Sequence, residues 1–399
     1  MSIKRRQFLQ FAGSSLFTLG LSQLSQQAES YGKVLALSTP RKLALIVGIN
    51  DYPSPYSLQG CGSDMMLQHH LLKYRFGFKD SDILTLENKD ATRQGILSAF
   101  EEHLIKQAQP GDVVVFHYSG HGSRIVDPDP AFVSSSQDKT GLEGTIVPVD
   151  AINQGQGGVI KDIMGHTLFL LVSALKTENV TVVLDSCFSG AATRNDFKPR
   201  SRAGGTSFFI SPEEKIYQDQ LLSRLNLSRS EFIQRYRQGI AKGVVLAATS
   251  PEQTAADARL DGFYAGAFTY NLTQYLWQQT SSAKSAIAGI EPRITQKYSQ
   301  TPLYEAKVGS RYEQQPIYFT NTSTSTADGV VTAVQGNQAT LWLGGVNLET
   351  VDDSGTVFNA IDAKGRSSGK VILLKRTGLE GTARVSGVVK EGTLLHKVR

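Results

Sequence analysis

The chain has 399 residues, of which 40% are hydrophobic and 19% charged, a balance that excludes wholesale disorder and suffices for one large globular domain with a smaller companion. The formal net charge is +5, but the basic surplus lies between Arg194 and Lys242, so no basic groove is spread over a folded surface and a nucleic-acid partner is excluded. The two cysteines, Cys61 and Cys187, offer no disulfide framework, which leaves any special role to a lone thiol.

The first residues read as an address. Lys4-Arg5-Arg6-Gln7-Phe8-Leu9 is a paired-arginine head, and the apolar run over 11–21 is too short to span a bilayer as a stable helix. Residues 1–36 are therefore expected to form a twin-arginine-type signal segment, with cleavage after Ala36 favoured over Ala28. The mature form would have no stable membrane span and would work in a periplasm, a thylakoid lumen or the extracellular space.

From Arg41 onward buried strands alternate with amphipathic helices, the pattern of a mostly parallel α/β sheet covered on both faces. Strands are expected at 43–49, 82–86, 112–118, 180–184, 244–248 and 316–319, and helices at 65–74, 92–108, 163–175, 213–238 and 267–278. The stretch 127–158 reads as loop-rich, with a short extended piece at 147–149. A Ser- and Thr-rich linker is placed at 321–327. Beyond it, β-branched runs at 330–334, 339–343, 371–375 and 382–389 predict a small β-barrel or sandwich over 328–399.

The chemistry gathers after two strands. Asp112 to Tyr118 empties into Ser119-Gly120-His121-Gly122, and Val180 to Leu184 into Asp185-Ser186-Cys187-Phe188-Ser189-Gly190. A thiol attacks a carbonyl only as thiolate, and an imidazole is the natural base to make it one. A parallel sheet brings its strand ends side by side, so His121 and Cys187 can meet there. The flanking glycines allow close backbone approach, and the N–H groups of Gly122 and Cys187 could form an oxyanion hole.

Tyr118-Ser119-Gly120-His121-Gly122 and Asp185-Ser186-Cys187-Phe188-Ser189-Gly190 resemble the two signature blocks of the metacaspases, whose bacterial members are called orthocaspases. Gly48-Ile49-Asn50-Asp51-Tyr52, Leu58-Gln59-Gly60-Cys61-Gly62-Ser63-Asp64, Thr145-Ile146-Val147-Pro148-Val149-Asp150 and Gly266-Ala267-Phe268-Thr269-Tyr270 extend the resemblance through 41–320. It implies a caspase-like α/β fold with a basic inter-subunit-like segment at 194–242, and cleavage of peptides or proteins after Arg or Lys. It also implies a specificity pocket containing Asp64 and Asp185 with Ser119 beside them. A buried guanidinium needs such carboxylate partners.

Plainer roles stand beside these. Asp185 could cap a turn and Asp64 a helix; Cys61 reads as a packing residue, and His117 as a core histidine with a backbone partner. The chain departs from the family at Phe188, Gly144 and Arg194, the last two where calcium-dependent relatives carry acids. Asp127, Asp129, Asp138 and Glu143 could still hold calcium, but they lack the regular spacing of a dedicated loop, so neither a resident metal nor a calcium requirement is expected. The expectation is a monomeric Cys/His endopeptidase without cofactors, with Arg194, Arg200 and Arg202 as points of self-cleavage. The alternative is a non-catalytic caspase-like scaffold of the cell envelope.

Overall fold

The computed structural model describes residues 40–129, 141–151, 158–187, 197–250, 252–279, 281–320, 325–362 and 365–398. The expected signal segment, Asp138, Phe188, Arg194 and positions 321–324 of the linker lie outside them. Residues 42–399 form one compact unit.

Strand β1 (Lys42–Gly48) leads into helix α1 (Cys61–His70), which is prolonged by a π turn at Leu71–Arg75. Strand β2 (Ile83–Glu87) precedes α2 (Arg93–Ala99), whose first turn is closed by the Thr92 hydroxyl accepting the Gly95 N–H. Strand β3 is Val113–Ser119. Short strands β4 (Gly122–Val126), β5 (Leu142–Ile146), β6 (Gly158–Ile160) and β7 (Ile163–Met164) occupy much of the stretch that reads as loop-rich. They are too short for their apolar alternation to stand out. Then come α3 (Gly165–Ala174), β8 (Asn179–Asp185), β9 (Phe197–Pro199) and β10 (Phe208–Ile210).

The single helix expected over 213–238 is two, α4 (Pro212–Arg224) and α5 (Arg229–Tyr236). Asn226 takes a positive φ of 52°, which stops α4, and Ser228 with Glu231 forms a capping box that starts α5. Strands β11 (Val244–Ala247), β12 (Ala256–Arg259) and β13 (Tyr264–Gly266) follow, then α6 (Ala267–Gln278) and α7 (Ala283–Tyr298). Helix α7, which carries Pro292 inside it, was not expected. The last strand is also misplaced by the sequence: it is β14 (Leu303–Ala306), whereas 316–319 is a turn in which Tyr318 and Phe319 have positive φ.

The main sheet has the order β14-β11-β8-β3-β1-β2, parallel except for β14. Its strands are continuous apolar runs because both faces are covered: Ala44 and Ile46 join one core, and Leu43, Leu45 and Val47 the other.

The C-terminal part closes as a six-stranded barrel of β15 (Gly329–Gln335), β16 (Gln338–Trp342), β17 (Val357–Ile361), β18 (Ser367–Thr377), β19 (Glu380–Gly387) and β20 (Leu394–Lys397). It is not a tethered appendage. The Ala327 N–H donates to Trp277 O, Gln278 Nε2 donates to Gly345 O, and the Trp342 ring lies 4.6 Å from that of His70. Trp277 of α6 and Leu341 of the barrel belong to one hydrophobic core.

Candidate active site

Strands β3 and β8 are parallel neighbours with Ser119 opposite Asp185, so His121 and Cys187 each stand two residues beyond a matched pair at the same sheet end. Two buried tyrosines hold the histidine's backbone: Tyr52 Oη accepts its N–H at 3.1 Å, and Tyr118 Oη donates to its carbonyl at 2.8 Å. His121 Nε2 lies 2.6 Å from the Tyr56 carbonyl oxygen, which can only accept. That contact puts the proton on Nε2 and leaves Nδ1, buried and without a hydrogen-bond partner among the described residues, as the basic nitrogen. The orienting Tyr56 carbonyl carries no sequence signal, because any residue supplies one.

Burial pushes the Cys187 thiol up to about 11, against the Ala255 backbone, the Ser201 hydroxyl and the Arg200 charge, which pull it down. Burial also holds the His121 imidazole down at about 4. In this arrangement the dyad is neutral on both sides.

What covers the dyad is the chain itself. Residues 197–205 thread between β12, which pairs with β9, and β4, which Ser201 and Gly205 flank in parallel. The Arg200 N–H donates to Ala255 O at 3.0 Å, and its carbonyl accepts from Gly122 N at 3.0 Å and Cys187 N at 3.1 Å. These two donors are the pair expected for an oxyanion hole. Gly122 is required there, since a Cβ would lie 2.3 Å from the Cys187 carbonyl oxygen.

The Arg200 side chain is fully buried among acids. Nη1 lies 2.7 Å from Asp64 Oδ2 and 3.2 Å from Asp185 Oδ1, and Nη2 lies 2.9 Å from Asp257 Oδ1. Ser119 Oγ donates to Asp64 Oδ2 at 3.0 Å and sits 3.5 Å from Nη1. Burial raises the Asp64 carboxyl to about 7, against the Arg200 charge that lowers it.

Every carboxylate has a second anchor. Gly266 N donates to Asp64; Thr269 N and Oγ1 donate to Asp185, which thereby caps α6; Gln59 N and Gly60 N donate to Asp257. The capping role weighed for Asp185 and its place in the pocket coexist. Asp257 and Thr269 were not singled out from sequence, although an acid alone among alanines, Ala255-Ala256-Asp257-Ala258, was a signal that could have found the first.

Arg202 is elsewhere: its guanidinium pairs with Asp162 at 2.7 Å, and Arg194 lies outside the described residues. Cys61 is fully buried, as its packing role requires. His117 is buried too, with the Ser119 hydroxyl at 3.0 Å as its partner instead of a backbone group. Of the calcium candidates, Asp129 pairs with Arg229, whereas Asp127 and Glu143 converge on His166 at the end of β4 remote from Gly122.

The family described as "Caspase domain" matches residues 41–327. The chain is similar to Metacaspase-1 of Schizosaccharomyces pombe, 29% identical over 294 residues covering 66% of each chain. It is also similar to Metacaspase-1 of Kluyveromyces lactis, 28% identical over 296 residues covering 66% of this chain and 65% of that one. The matched part thus spans just under two thirds of these relatives' length. Among solved structures, caspase-1 from Spodoptera frugiperda covers 67% of this chain and 87% of its own, with TM-score 0.37 and 11% identity.

Proposed function

Because this chain belongs to the caspase-domain family, we propose that it is a cysteine endopeptidase that hydrolyses peptide bonds after Arg or Lys, and that its own Arg200–Ser201 bond is among those it cuts. The observation that carries the reading is the placement of Arg200, with its carbonyl oxygen between two backbone donors beside the thiol and its guanidinium among three carboxylates. A substrate residue would need both contacts at once.

In the proposed reaction His121 Nδ1 takes the Cys187 proton, and Sγ attacks the carbonyl carbon before the scissile bond. The resulting oxyanion is held by the N–H groups of Cys187 and Gly122. Collapse expels the amine, which takes the proton from His121, and leaves a thioester. Water, deprotonated by the same imidazole, releases the acid and restores the thiol.

No calcium or cofactor has a role in these steps. The paired-arginine head supports export of the folded chain, so that the enzyme would act outside the cytoplasm. Among the described residues no helix is long and apolar enough to cross a membrane.

Turnover of peptides ending in Arg, Lys and Asp, measured for the wild type and for Cys187→Ala, tests the proposal. Release from Arg and Lys peptides by the wild type alone is expected. Equal turnover by both proteins, or preference for Asp, would remove it, and no turnover by either would favour the scaffold reading.

A further inference from the structure

A second cluster of chemistry-bearing side chains lies outside the dyad and its pocket. Strand β4 starts at Gly122 and ends beside Asp127; β5 pairs with it so that Glu143 stands opposite Ile125; and His166 opens α3. The three side chains converge. His166 Nε2 lies 3.5 Å from Asp127 Oδ2 and 3.6 Å from Glu143 Oε2, and one ligand atom from each residue lies within 4.8 Å of the other two.

We propose that Asp127, Glu143 and His166 bind a divalent transition-metal ion of the zinc type. Four ligands about 2.0–2.1 Å from a tetrahedral ion stand roughly 3.3–3.4 Å apart. The two histidine–carboxylate separations are within a few tenths of an ångström of that value, too long for good hydrogen bonds and short enough for a shared ion.

The histidine is the independent observation. Its side chain is fully buried, and neither ring nitrogen has a hydrogen-bond partner among the described residues, although Nε2 faces two carboxylates. An imidazole stripped of water needs something to accept its lone pair, and a metal ion would meet that need at Nε2.

The carboxylates are set as ligands usually are. Asp127 Oδ1 accepts the Asp129 N–H at 2.8 Å, and Glu143 Oε1 accepts the Tyr236 hydroxyl at 2.8 Å, so in each group one oxygen is anchored and the other turns to the histidine. Phe232 and Tyr236 pack edge-on against the imidazole and fix its plane. The neighbouring Arg229 is engaged by Asp129 and Asp219. A nitrogen with two oxygens suits zinc, cobalt or nickel better than calcium, which collects oxygens only.

The test uses the full chain carrying Cys187→Ala, which keeps metal off the thiol. Zn2+ is titrated against a chromophoric chelator, and Co2+ is added separately to read its visible spectrum. One saturable Zn2+ equivalent, a Co2+ spectrum of low-coordinate nitrogen–oxygen ligation, and an affinity lowered at least about tenfold by His166→Gln are expected. The absence of saturable Zn2+ binding would overturn the proposal; so would unchanged affinity in His166→Gln, or displacement of Zn2+ by equimolar Ca2+. Should His166→Gln fail to fold, Glu143→Gln takes its place, and the Co2+ spectrum of the Cys187→Ala protein alone remains decisive.

Discussion

The carbonyl oxygen of Arg200 lies 3.1 Å from the backbone nitrogen of Cys187, so a residue thirteen positions further along the chain sits against the cysteine itself. The bond after that carbonyl joins Arg200 to Ser201, whose hydroxyl lies beside the thiol. In the proposed reading, this arrangement holds one of the chain's own peptide bonds where a substrate bond would lie.

Incubated wild-type protein is expected to yield a new chain beginning at Ser201. Cys187→Ala and Arg200→Ala should each leave that bond whole. Denaturing gels with N-terminal sequencing read the result, and a cut confined to other basic residues would contradict the assignment.

Arginine should be preferred to lysine, and Asp257 is the reason. Nη1 serves Asp64 and Asp185 while Nη2 serves Asp257, whereas a lysine ammonium is a single point that cannot reach both sides with the same geometry. Removal of one charge-assisted hydrogen bond costs about 1.5–3 kcal/mol. Asp257→Asn is therefore expected to lower kcat/KM for Arg-ended peptides by about ten- to a hundredfold and for Lys-ended peptides less, narrowing the ratio between them.

Gly122→Ala should act on kcat. A methyl at this position would meet the Cys187 carbonyl at 2.3 Å, and relief of that clash moves one oxyanion donor. Loss of such a donor lowers kcat by about 10²–10³-fold with little change in KM. Steady-state kinetics on an Arg-ended peptide decide it, and an unaltered kcat would assign the donor elsewhere.

His117 makes stability pH-dependent. Burial, with the Arg200 charge, holds its imidazole down at about 3 against an ordinary 6.5. Between those values the unfolded chain binds a proton that the folded chain does not, so stability falls as pH drops through 6.5 towards 3, by about 1.4 kcal/mol per pH unit from this group. His117→Gln removes the titration. In the Cys187→Ala background, denaturant melts from pH 7 down to pH 4 should show the histidine protein losing its advantage over the glutamine variant, and parallel curves would refute the assignment.

The placement of His121 and Cys187 at one sheet end was legible because strands β3 and β8 announce themselves as apolar runs, and the residues at their ends carry the glycines that a close approach needs. The pocket was half legible: Asp64 and Asp185 belong to recognisable blocks, but Asp257 arrives from a four-residue strand whose partner, β9, follows an undescribed stretch. Short strands contribute too few alternations to be read. Helix α7 was hidden by Pro292, which argues against a helix locally while Ile287, Ile290 and Ile294 bury themselves regardless. The cluster at His166 had no linear signature, since its members are joined only by the pairing of β4 with β5 and the start of α3.

Helix α6 touches two worlds. At its head the Thr269 amide and hydroxyl grip Asp185; at its tail Trp277 and Gln278 are locked into the barrel. Cutting away 328–399 would strip the indole of its cover and slacken the tail of a rod whose head shapes the cation's berth. The terminal barrel is therefore a buttress of the acidic cluster around Arg200, and a chain truncated before it should be judged as a damaged fold instead of a minimal one.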